Sequence, residues 1–451
     1  MGTDAQLARL GLFDARVPRY TSYPTAPQFT RAVNGDLFRN WIEAIPPGSQ
    51  ISLYVHVPFC RRLCWFCACR TQGTKSDDPV IAYAQLLREE IALLSRHLPA
   101  GIRLSRLHWG GGTPTMLPPD EIRALTAAIL AMTPMAEGGE FSVEIDPSEI
   151  DDARLDALAE AGMNRASIGV QDFDPEIQQA IGRIQSYELT RDVAQAIRAR
   201  GVRSLNMDIL YGLPHQTPER ITDSVRKLLT LAPDRVALYG YAHVPWVSKR
   251  QQLIDADTIP SPEERLHLSE LAAAMFGEVG YEAIGIDHFA MPGDGLATAR
   301  REGRLRRNFQ GYTDDTATAL VGVGASSISR FPQGYAQNAP ATAAHVQAIR
   351  EGRFSTAKGH AFSGEDHLRA RLIESLMCDF RIERDRIAAE TGADPARIDA
   401  LFAEAAAKFE DMVELTEGGF SLPPRARALT RIVAQAFDAY DAGKARHSAA
   451  I

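Results

Sequence analysis

The sequence has no long hydrophobic run, although hydrophobic residues make up 45% of its 451 residues. No apolar stretch approaches the roughly 18 residues that a helix needs to cross a bilayer, so we predict no membrane span. Residues 1–16 also lack an apolar region between a basic start and a small-residue cleavage site. We therefore expect a cytoplasmic protein, in a compartment that keeps thiols reduced.

Basic residues are also fewer than acidic ones. The chain has 49 Lys and Arg against 57 Asp and Glu, which gives a formal net charge of −8. A general nucleic-acid surface is basic, so this balance argues against a nucleic-acid partner and leaves room only for local basic patches. The length is sufficient for one large catalytic domain and a smaller second one.

Cysteine is rare, but four of the five cysteines are clustered. Cys60, Cys64 and Cys67 have the spacing C-x3-C-x2-C, and Cys69 follows closely. The apolar, β-branched run at 51–57 predicts a buried strand, so the cysteines lie on the loop that leaves it. The odd number of cysteines, together with the reducing compartment, argues against disulfides.

Thiols at this spacing predict a metal centre. Thiolate is the soft ligand that iron–sulfur clusters select. Three thiolates can hold three irons of a four-iron cluster, which leaves a coordination position open on the fourth iron. A catalytic zinc likewise keeps one coordination position open. Structural zinc is the alternative, although its cysteines usually form two separated C-x2-C pairs. A zinc-binding interaction module without catalysis therefore stays open at this point.

Short apolar runs alternate with helical patterns between residue 51 and about residue 242. The predicted strands are 51–57, 104–109, 141–145, 165–170, 204–210 and 235–242. The predicted helices are 79–98, 119–132, 151–161, 187–200 and 217–231. This alternation indicates an α/β fold with a parallel sheet and outer helices. Six units predict a partial (β/α)6 TIM-like barrel, and a doubly wound open sheet is the alternative.

Polar or glycine residues follow all six predicted strands. The segments are the cysteine loop, 110–114, 144–147, 169–172, 208–214 and 241–245. Both architectures place working residues at the carboxyl ends of the strands, so these segments are the candidate site. The triple glycine at 110–112 would let the backbone approach a ligand closely.

The remaining sequence predicts an N-terminal strap, the rest of the catalytic domain and a C-terminal domain. Residues 1–50 form a strap, whose segment 19–26 has neither a helical nor a strand period. Residues 246–360 are less regular and complete a catalytic domain over 51–360; a capping box at 261–264 opens a helix of about 20 residues. The Gly322-x-Gly324 pattern in this region is too short to indicate a dinucleotide-binding site. Residues 361–451 predict a mostly helical C-terminal domain with a small hairpin at 414–422, in which Cys378 is a small buried hydrophobe.

The cysteine spacing resembles the signature of the radical S-adenosylmethionine (SAM) superfamily, which binds SAM at the open iron of a [4Fe–4S] cluster. Further stretches are similar to the family of oxygen-independent coproporphyrinogen III oxidases. They are 19–26, 54–69, 110–114, 169–183, 206–214 and 308–312. The likeness is collinear over almost the whole chain, and Cys69 and the segment R-Y-T-S-Y-P-T-A at 19–26 are its most specific features. It implies the partial barrel of the radical SAM type.

The resemblance also implies roles for the matching residues. Cys60, Cys64 and Cys67 would ligate one [4Fe–4S] cluster, with Cys69 nearby but not a ligand. The residues expected to contact the SAM on the cluster are Tyr54, Gly111, Glu144, Ala242 and Ile328. Those expected to contact a second SAM are Phe66, Gly112, Thr113, Gln171, Arg183 and Asp208. Tyr54 and Gln310 are the expected catalytic residues, with Gln310 close to the second SAM.

The implied reaction is the oxidative decarboxylation of two propionates of coproporphyrinogen III, begun by a 5′-deoxyadenosyl radical. The sequence does not identify the electron donor or acceptor, and nothing in it demands more than a monomer. A tetrapyrrole substrate with four carboxylates would suit bidentate arginines. The candidates are Arg19, Arg300, Arg301, Arg304, Arg306 and Arg307. A solvated basic helix face is the alternative for each of them.

Two other radical SAM functions compete with the oxidase. A haem chaperone keeps the three cluster cysteines but typically lacks Cys69 and the segment at 19–26, so those features argue against it. A haem-opening methyltransferase uses the same cofactor, and the sequence separates it less surely.

Overall fold

The computed structural model describes residues 3–440 and 447–451. Residues 1–2 of the predicted strap and residues 441–446 of the predicted C-terminal domain lie outside the described residues. Among the helices of the described part, none is both long and apolar enough to cross a membrane.

The strands and helices alternate through the first half of the chain. The strands are β1 (Gln50–Val57), β2 (Phe59–Cys60), β3 (Gln72–Gly73), β4 (Arg103–Gly111), β5 (Met135–Ile145), β6 (Arg165–Gln171), β7 (Ser204–Tyr211), β8 (Arg235–Gly240), β9 (Glu282–Ile284), β10 (His288–Ala290), β11 (Arg306–Asn308), β12 (Gly311–Thr313), β13 (Ala319–Val323), β14 (Ile328–Phe331), β15 (Gly334–Asn338), β16 (Thr356–Ala361), β17 (Arg381–Glu383), β18 (Glu414–Thr416) and β19 (Gly419–Ser421). The helices are α1 (Thr3–Arg9), α2 (Gly35–Glu43), α3 (Asp78–Ser95), α4 (Pro119–Met132), α5 (Asp152–Glu160), α6 (Pro175–Ala180), α7 (Tyr187–Ala199), α8 (Pro218–Thr230), α9 (Pro262–Glu278), α10 (Gly295–Arg301), α11 (Thr342–Arg350), α12 (Asp366–Asp379), α13 (Arg384–Thr391), α14 (Pro395–Phe409) and α15 (Thr430–Gln435).

The sheet order decides between the two predicted architectures. Strands β1, β4, β5, β6, β7 and β8 are neighbours in chain order, and each pair is parallel. A doubly wound sheet would reverse its order at a switch point, and this one does not. The strands curl around a cavity of about 260 Å³ that receives side chains from all six. The partial barrel is therefore confirmed, and the doubly wound sheet is wrong.

Local signals read from the sequence set the helix ends. Ser261 and Glu264 form the predicted capping box at the start of α9, with distances of 2.7 and 3.3 Å. Thr217 caps α8 ahead of a proline at the first helical position. Gly162 and Gly201 follow α5 and α7 with φ of +89° and +81°, a region that favours glycine.

The region at 246–360 is more ordered than its sequence pattern predicts. β13 adds a seventh parallel strand beside β1, so the segment around Gly322 belongs to the sheet rather than to a loop. β14 to β16 extend that edge antiparallel, and β10 and β9 extend the opposite edge. These strands have only three to six residues, which is too short for a hydrophobic period to be recognised.

Two main hydrophobic cores lie in the described chain. The larger one fills the space between the barrel strands and their helices. The second joins α12, α13, α14 and the β17–β19–β18 sheet to the N-terminal segment, including Tyr20 and Tyr23. The tyrosines of the strap are thus buried against the C-terminal helices. The hairpin predicted at 414–422 is confirmed, and so is the burial of Cys378, which is 1% exposed.

One half-buried arginine, Arg431, connects the N-terminal strap to residues 449–450. Arg431 donates to the carbonyl of Pro18 at 3.1 Å and to those of Ala449 and Ala450 at 2.9 Å. Arg16 and Ala449 also form an antiparallel bridge. Hydrogen bonds from a charged guanidinium group are strong, so Arg431 holds the strap and residues 449–450 together.

Candidate active site

The cysteine loop runs from β1 to α3 at the carboxyl end of the barrel. A short parallel pairing of β2 with β3 closes it, with Gln72 N donating to Pro58 O at 2.7 Å and Thr74 N to Cys60 O at 3.1 Å. Cys67 N donates to Cys64 O at 3.3 Å, which turns the chain between those cysteines. The loop therefore has a defined shape that brings its cysteines to one place.

The thiols lie in different surroundings. Cys60, Cys64 and Cys67 are half-buried, and burial raises the pKa of Cys60 to about 11. Burial also raises the pKa of Cys64, although Arg183 Nη1, at 3.7 Å from its sulfur, opposes that shift. A hydrogen bond from the Cys69 thiol lowers the pKa of Cys67, and Cys69 N donates to the same sulfur at 3.4 Å.

Three side chains of the segment after β8 hold the loop in place. Gln251 Nε2 donates to Phe66 O at 2.7 Å, Ser248 Oγ to Cys67 O at 2.9 Å, and Arg250 Nη2 to Cys69 O at 3.3 Å. None of the three was predicted. They lie about 180 residues from the cysteines with no spacing signature, so only the fold reveals them.

The donor set fits an iron–sulfur cluster. Three half-buried thiols on one loop supply the soft ligands that such clusters take. Among the described residues, no three His, Cys, Asp or Glu side chains are placed to share a single metal ion. A cluster differs from a zinc ion in that each thiolate binds its own iron, so the three thiols need not converge on one ion.

Glu144 lies beside the triple glycine, as the resemblance implies for a SAM-binding carboxylate. Its Oε2 accepts from Gly111 N at 3.0 Å, and its Oε1 is 3.4 Å from His108 Nε2. Burial acts to raise the pKa of Glu144, but the hydrogen bonds from His108 and Gly111 bring it below its ordinary value. Glu144 is thus ionised and 43% exposed toward open space in the barrel, where it can accept from a cation.

The triple glycine is required by the protein's own packing. A Cβ on Gly110 would lie 2.7 Å from Glu144 Oε1, and one on Gly112 would lie 2.5 Å from the carbonyl oxygen of Phe59. Gly111 has φ +114°, and its Cβ would lie 2.5 Å from the His56 ring. The glycines therefore let strand β4 contact Glu144, His56 and the cysteine loop at once.

Tyr54 is held by two histidines. Its hydroxyl is 2.9 Å from His56 Nδ1, and its ring stacks on His108 with centroids 5.6 Å apart and an angle of 16°. His56 is 3.3 Å from Arg70 O at the end of the cysteine loop. Burial lowers the pKa of His56, so it is neutral near pH 7. Neither histidine was predicted as a site residue. His56 shares strand β1 with Tyr54, and His108 shares strand β4 with Gly111.

Arg183 connects the cysteine loop to the ends of β5 and β6. Besides the Cys64 sulfur, it contacts Asp146 Oδ2 at 3.2 Å and the Gly169 carbonyl at 2.9 Å. Gln171 adopts φ +71°, and its amide nitrogen reaches the space above Gly169. The structure thus brings Arg183 and Gln171 together beside the loop.

Asp208 and Gln310 line the barrel cavity together with Glu144. Burial raises the pKa of Asp208 to about 6, while the Asn206 side chain donates to it at 2.8 Å and opposes the shift. Gln310 lies in the turn between β11 and β12, outside the barrel strands. These three predicted residues therefore face one space.

The other predicted residues lie around this centre. Thr113 is buried, and its hydroxyl opposes the rise in the pKa of the neighbouring Cys60 thiol. Phe66 packs on an apolar cluster around Ile181, and Ile328 begins β14. Ala242 accepts from Gln251 Nε2 at 3.0 Å and lines a second cavity.

This second cavity, of about 550 Å³, lies between β8, the strap and the C-terminal helices. Of the arginines predicted to meet substrate carboxylates, Arg19 and Arg307 line it. The others do not, and Arg301, Arg304 and Arg306 pair instead with Glu282, Glu302 and Glu390. Tyr239 lines both cavities, so the second adjoins the barrel cavity there.

The C-x3-C-x2-C loop lies at the carboxyl end of a partial barrel, beside Glu144 and the triple glycine, and this is the arrangement expected of radical SAM proteins. The superfamily's sequence model accordingly matches residues 54–228. The chain is 63% identical over 451 residues, all of both chains, to an oxygen-independent coproporphyrinogen III oxidase of Paracoccus denitrificans. It is 60% identical to one of Cereibacter sphaeroides, over 98% of both chains.

The likeness extends to the three-dimensional fold. The solved coproporphyrinogen III oxidase of Escherichia coli, described as a radical SAM enzyme, superposes with a TM-score of 0.89 at 36% identity, over 95% of this chain and 100% of that one. The chain belongs to the family of oxygen-independent coproporphyrinogen III oxidases. This family uses a [4Fe–4S] cluster and SAM, as the resemblance implied.

Proposed function

We propose that the chain converts two propionate side chains of coproporphyrinogen III to vinyl groups without oxygen, giving protoporphyrinogen IX. The likeness to coproporphyrinogen III oxidases over the whole chain carries the proposal. The arrangement of the cysteine loop, Glu144 and the barrel cavity supports it. Of the competing functions, neither the haem chaperone nor the methyltransferase is favoured by a specific contact.

Cys60, Cys64 and Cys67 are proposed to hold the [4Fe–4S] cluster, with Cys69 as a neighbour. The cluster and SAM, when bound, would supply the radical chemistry that removes hydrogen from a propionate β-carbon, with carbon dioxide as the leaving group and an acceptor for the remaining electron. The protein contributes position and the exclusion of water. The hydrogen bonds from Ser248, Arg250 and Gln251 to the loop keep the thiols in place.

Glu144 is proposed to accept hydrogen bonds from the ammonium group of SAM on the cluster. The carboxylate is ionised, its other partners fix its orientation, and part of it faces the cavity. Tyr54, Gly111, Ala242 and Ile328 complete this proposed site. Tyr54, whose ring and hydroxyl are both held, would position a reacting group without moving.

A second SAM is proposed beside the first, at Phe66, Gly112, Thr113, Gln171, Arg183 and Asp208. Arg183 already uses its donors on Asp146, Gly169 and Gln185, so its part is to hold the neighbouring loop. Asp208 faces the cavity and supplies an acceptor. Gln310, the second proposed catalytic residue, lines the same cavity. Equilibrium dialysis of radiolabelled SAM against the cluster-loaded protein would give a stoichiometry near two.

The proposal includes a cytoplasmic location and a monomer. Thiols that must remain free to bind iron suit a reducing compartment. Light scattering of the anaerobic protein would give a mass near 49.4 kDa for a monomer. The division into a strap at 1–50, a catalytic domain at 51–360 and a C-terminal domain at 361–451 is part of the same proposal. The two hydrophobic cores support the separation of the catalytic and C-terminal domains, but they divide the strap: residues 7–23 pack in the C-terminal core, whereas residues 33–45 pack in the barrel core.

An anaerobic assay tests the function. The cluster-loaded protein is mixed with SAM, a strong reductant and coproporphyrinogen III, and the products are oxidised to porphyrins and separated. Protoporphyrin should appear together with 5′-deoxyadenosine, and both should vanish in Cys64→Ser. SAM cleavage without decarboxylation would contradict the proposal and direct the next test to haem binding.

A further inference from the structure

The second cavity, called here the arginine cavity, has an unusual charge. Seven arginines line it, against two acidic residues among the described lining, Glu270 and Asp287. Arg16 and Arg19 come from the strap, and Arg265 from α9. Three separate parts of the fold, the strap, the barrel edge and the C-terminal helices, therefore bring like charges to one space.

These arginines lack the carboxylate partners that most other arginines of the described chain have. Within the described residues, six of the seven form no salt bridge, and only Arg307 has a carboxylate near, Asp287 at 3.7 Å. They meet neutral groups instead. Arg16 lies over the Trp246 ring at 5.1 Å, Arg427 lies over the Phe380 ring at 4.6 Å, and Arg19 donates to a carbonyl.

Two of the guanidinium groups also have unused donors. Arg265 is 9% exposed and donates to Tyr241 O at 2.6 Å, but its Nε has no hydrogen-bond partner. Arg307 lacks partners for Nε and Nη1, and its side chain is 5% exposed. Burial, with Arg19 as a neighbouring cation, lowers the pKa of Arg265 and also of Arg431, the latter to about 9. Buried charge without a counter-ion is unfavourable, so an anion in this cavity would stabilise it.

The size and the lining of the arginine cavity suit a large cyclic molecule with acidic side chains. Its volume of about 550 Å³ is in the range of cofactor and substrate pockets. Aromatic side chains at 211, 239, 241, 246 and 380 provide apolar walls between the arginines. Tyr239 forms the boundary with the barrel cavity, where Glu144, Asp208 and Gln310 lie. A molecule held here would therefore adjoin the barrel cavity at Tyr239.

We propose that the arginine cavity binds the tetrapyrrole substrate, with Arg265 and Arg307 pairing with its carboxylates near the barrel and Arg19, Arg427 and Arg431 neutralising those farther away. The aromatic walls would contact the ring system. One propionate side chain would then extend past Tyr239 toward the proposed SAM site. This assignment rests on the proposed function and adds to it Arg265, Arg427 and Arg431, which the sequence did not predict.

Binding of coproporphyrin III, the stable oxidised form of the substrate, tests the assignment. Fluorescence titration of the cluster-loaded protein would compare wild type with Arg265→Gln and Arg307→Gln. Each substitution should weaken binding about tenfold or more, because a charge-assisted hydrogen bond is lost. Arg265→Lys, which keeps the charge but not the planar fork, should fall between. The control is Arg381→Gln, an exposed arginine paired with Glu383, which should change binding by less than about twofold.

The tetramethyl ester of coproporphyrin III separates charge from shape. It keeps the ring and loses all four carboxylates, so wild type should bind it much more weakly than the free acid. The cavity substitutions should leave that residual binding nearly unchanged. Equal affinity for acid and ester would overturn the assignment.

The outcomes distinguish this assignment from the proposed function. If wild type converts coproporphyrinogen and the cavity variants bind coproporphyrin as wild type does, the arginine cavity is not the substrate site, and the function stands. If wild type neither binds coproporphyrin III nor converts coproporphyrinogen III, the proposed function is wrong, and the assignment is wrong with it. Loss of the cluster absorption near 400 nm would show that a variant misfolds. In that case Arg19→Gln, an exposed position, and protection of cavity arginines from phenylglyoxal in wild type decide the question.

Discussion

The two adjoining cavities are built in opposite ways. In the barrel cavity each cation has an anion: Arg106 pairs with Glu140 at 2.8 Å, and Arg235 pairs with Asp294 at 2.6 Å. In the arginine cavity, cations from three parts of the fold meet with almost no counter-charge among the described residues. The cations of the barrel cavity are thus balanced by the protein itself, whereas the arginine cavity holds positive charge that an anionic ligand would balance.

The largest effect should come from the cysteine loop, which serves the barrel side. Cys64→Ala removes one of three proposed cluster ligands, so the absorption near 400 nm and the activity should both be lost. Iron and sulfide analysis with the visible spectrum measures this. Cys378→Ala is the matched control, since that thiol is buried in helix α12 away from the loop. Full cluster content in Cys64→Ala would show that the ligands were assigned wrongly.

Glu144 should separate the two cavities. Glu144→Gln removes the negative charge next to Gly111 but keeps the size of the side chain. SAM affinity, measured by calorimetry on the cluster-loaded protein, should fall by about tenfold to a hundredfold, as expected for a lost charge-assisted contact. Binding of coproporphyrin III should stay within about twofold of wild type. Equal losses for both ligands would mean that the cavities are not independent.

Salt should affect the two ligands differently. Binding of a tetracarboxylate to uncompensated arginines depends on long-range attraction, which ions screen. An increase from about 0.05 M to about 0.5 M NaCl should therefore weaken coproporphyrin III binding by about tenfold and SAM binding by much less. Titrations at several salt concentrations measure both slopes. The same slope for both ligands would remove the electrostatic difference between the cavities.

The smallest effect concerns the stability of the barrel. Burial raises the folded-state pKa of Asp208 to about 6, above its ordinary value of 3.8. Between those values the folded chain holds a proton that the unfolded chain has released, so this contribution to stability is lost as the pH rises through about 6. Asp208→Asn, which stays neutral, should raise Tm relative to wild type at about pH 8.

At about pH 4 the gain from Asp208→Asn should disappear, because Asp208 is then protonated in the folded wild type. Asp223→Asn, at an exposed position on α8, is the control and should show no rise in Tm at about pH 8. A constant difference between Asp208→Asn and wild type across this range would contradict the expected proton uptake by Asp208. The SAM-free protein is the correct sample, since a ligand near Asp208 would change its surroundings.

Much of the barrel could be predicted because its signals are local. Buried parallel strands have continuous apolar runs, and caps such as Ser261 or Gly162 act within a few residues. The strand order is then limited by short right-handed connections, so the carboxyl ends could be placed at one edge. The C-x3-C-x2-C spacing is also local, and the resemblance assigned roles to residues such as Glu144 and Asp208.

Other features depended on contacts between distant residues. Strand β13 has five residues and gains its place only by pairing with β1, and the loop anchors Ser248 and Gln251 act on residues about 180 positions away. The arginine-dense segment misled for the same reason. Arg301 and Arg304 are close to Arg307 in sequence, but they pair with glutamates outside the cavity.

The sequence by itself determined the soft thiolate ligands, the alternation of parallel strands with helices, and the edge of the sheet where the chemistry lies. It could do so because thiolate chemistry, hydrophobic period and strand polarity are each expressed within a few residues or one strand–helix unit. The tertiary structure alone decided that Arg16, Arg265, Arg307 and Arg431 share one cavity. Electrostatic interactions depend on distance in space, and these four residues are separated by up to about 415 positions along the chain.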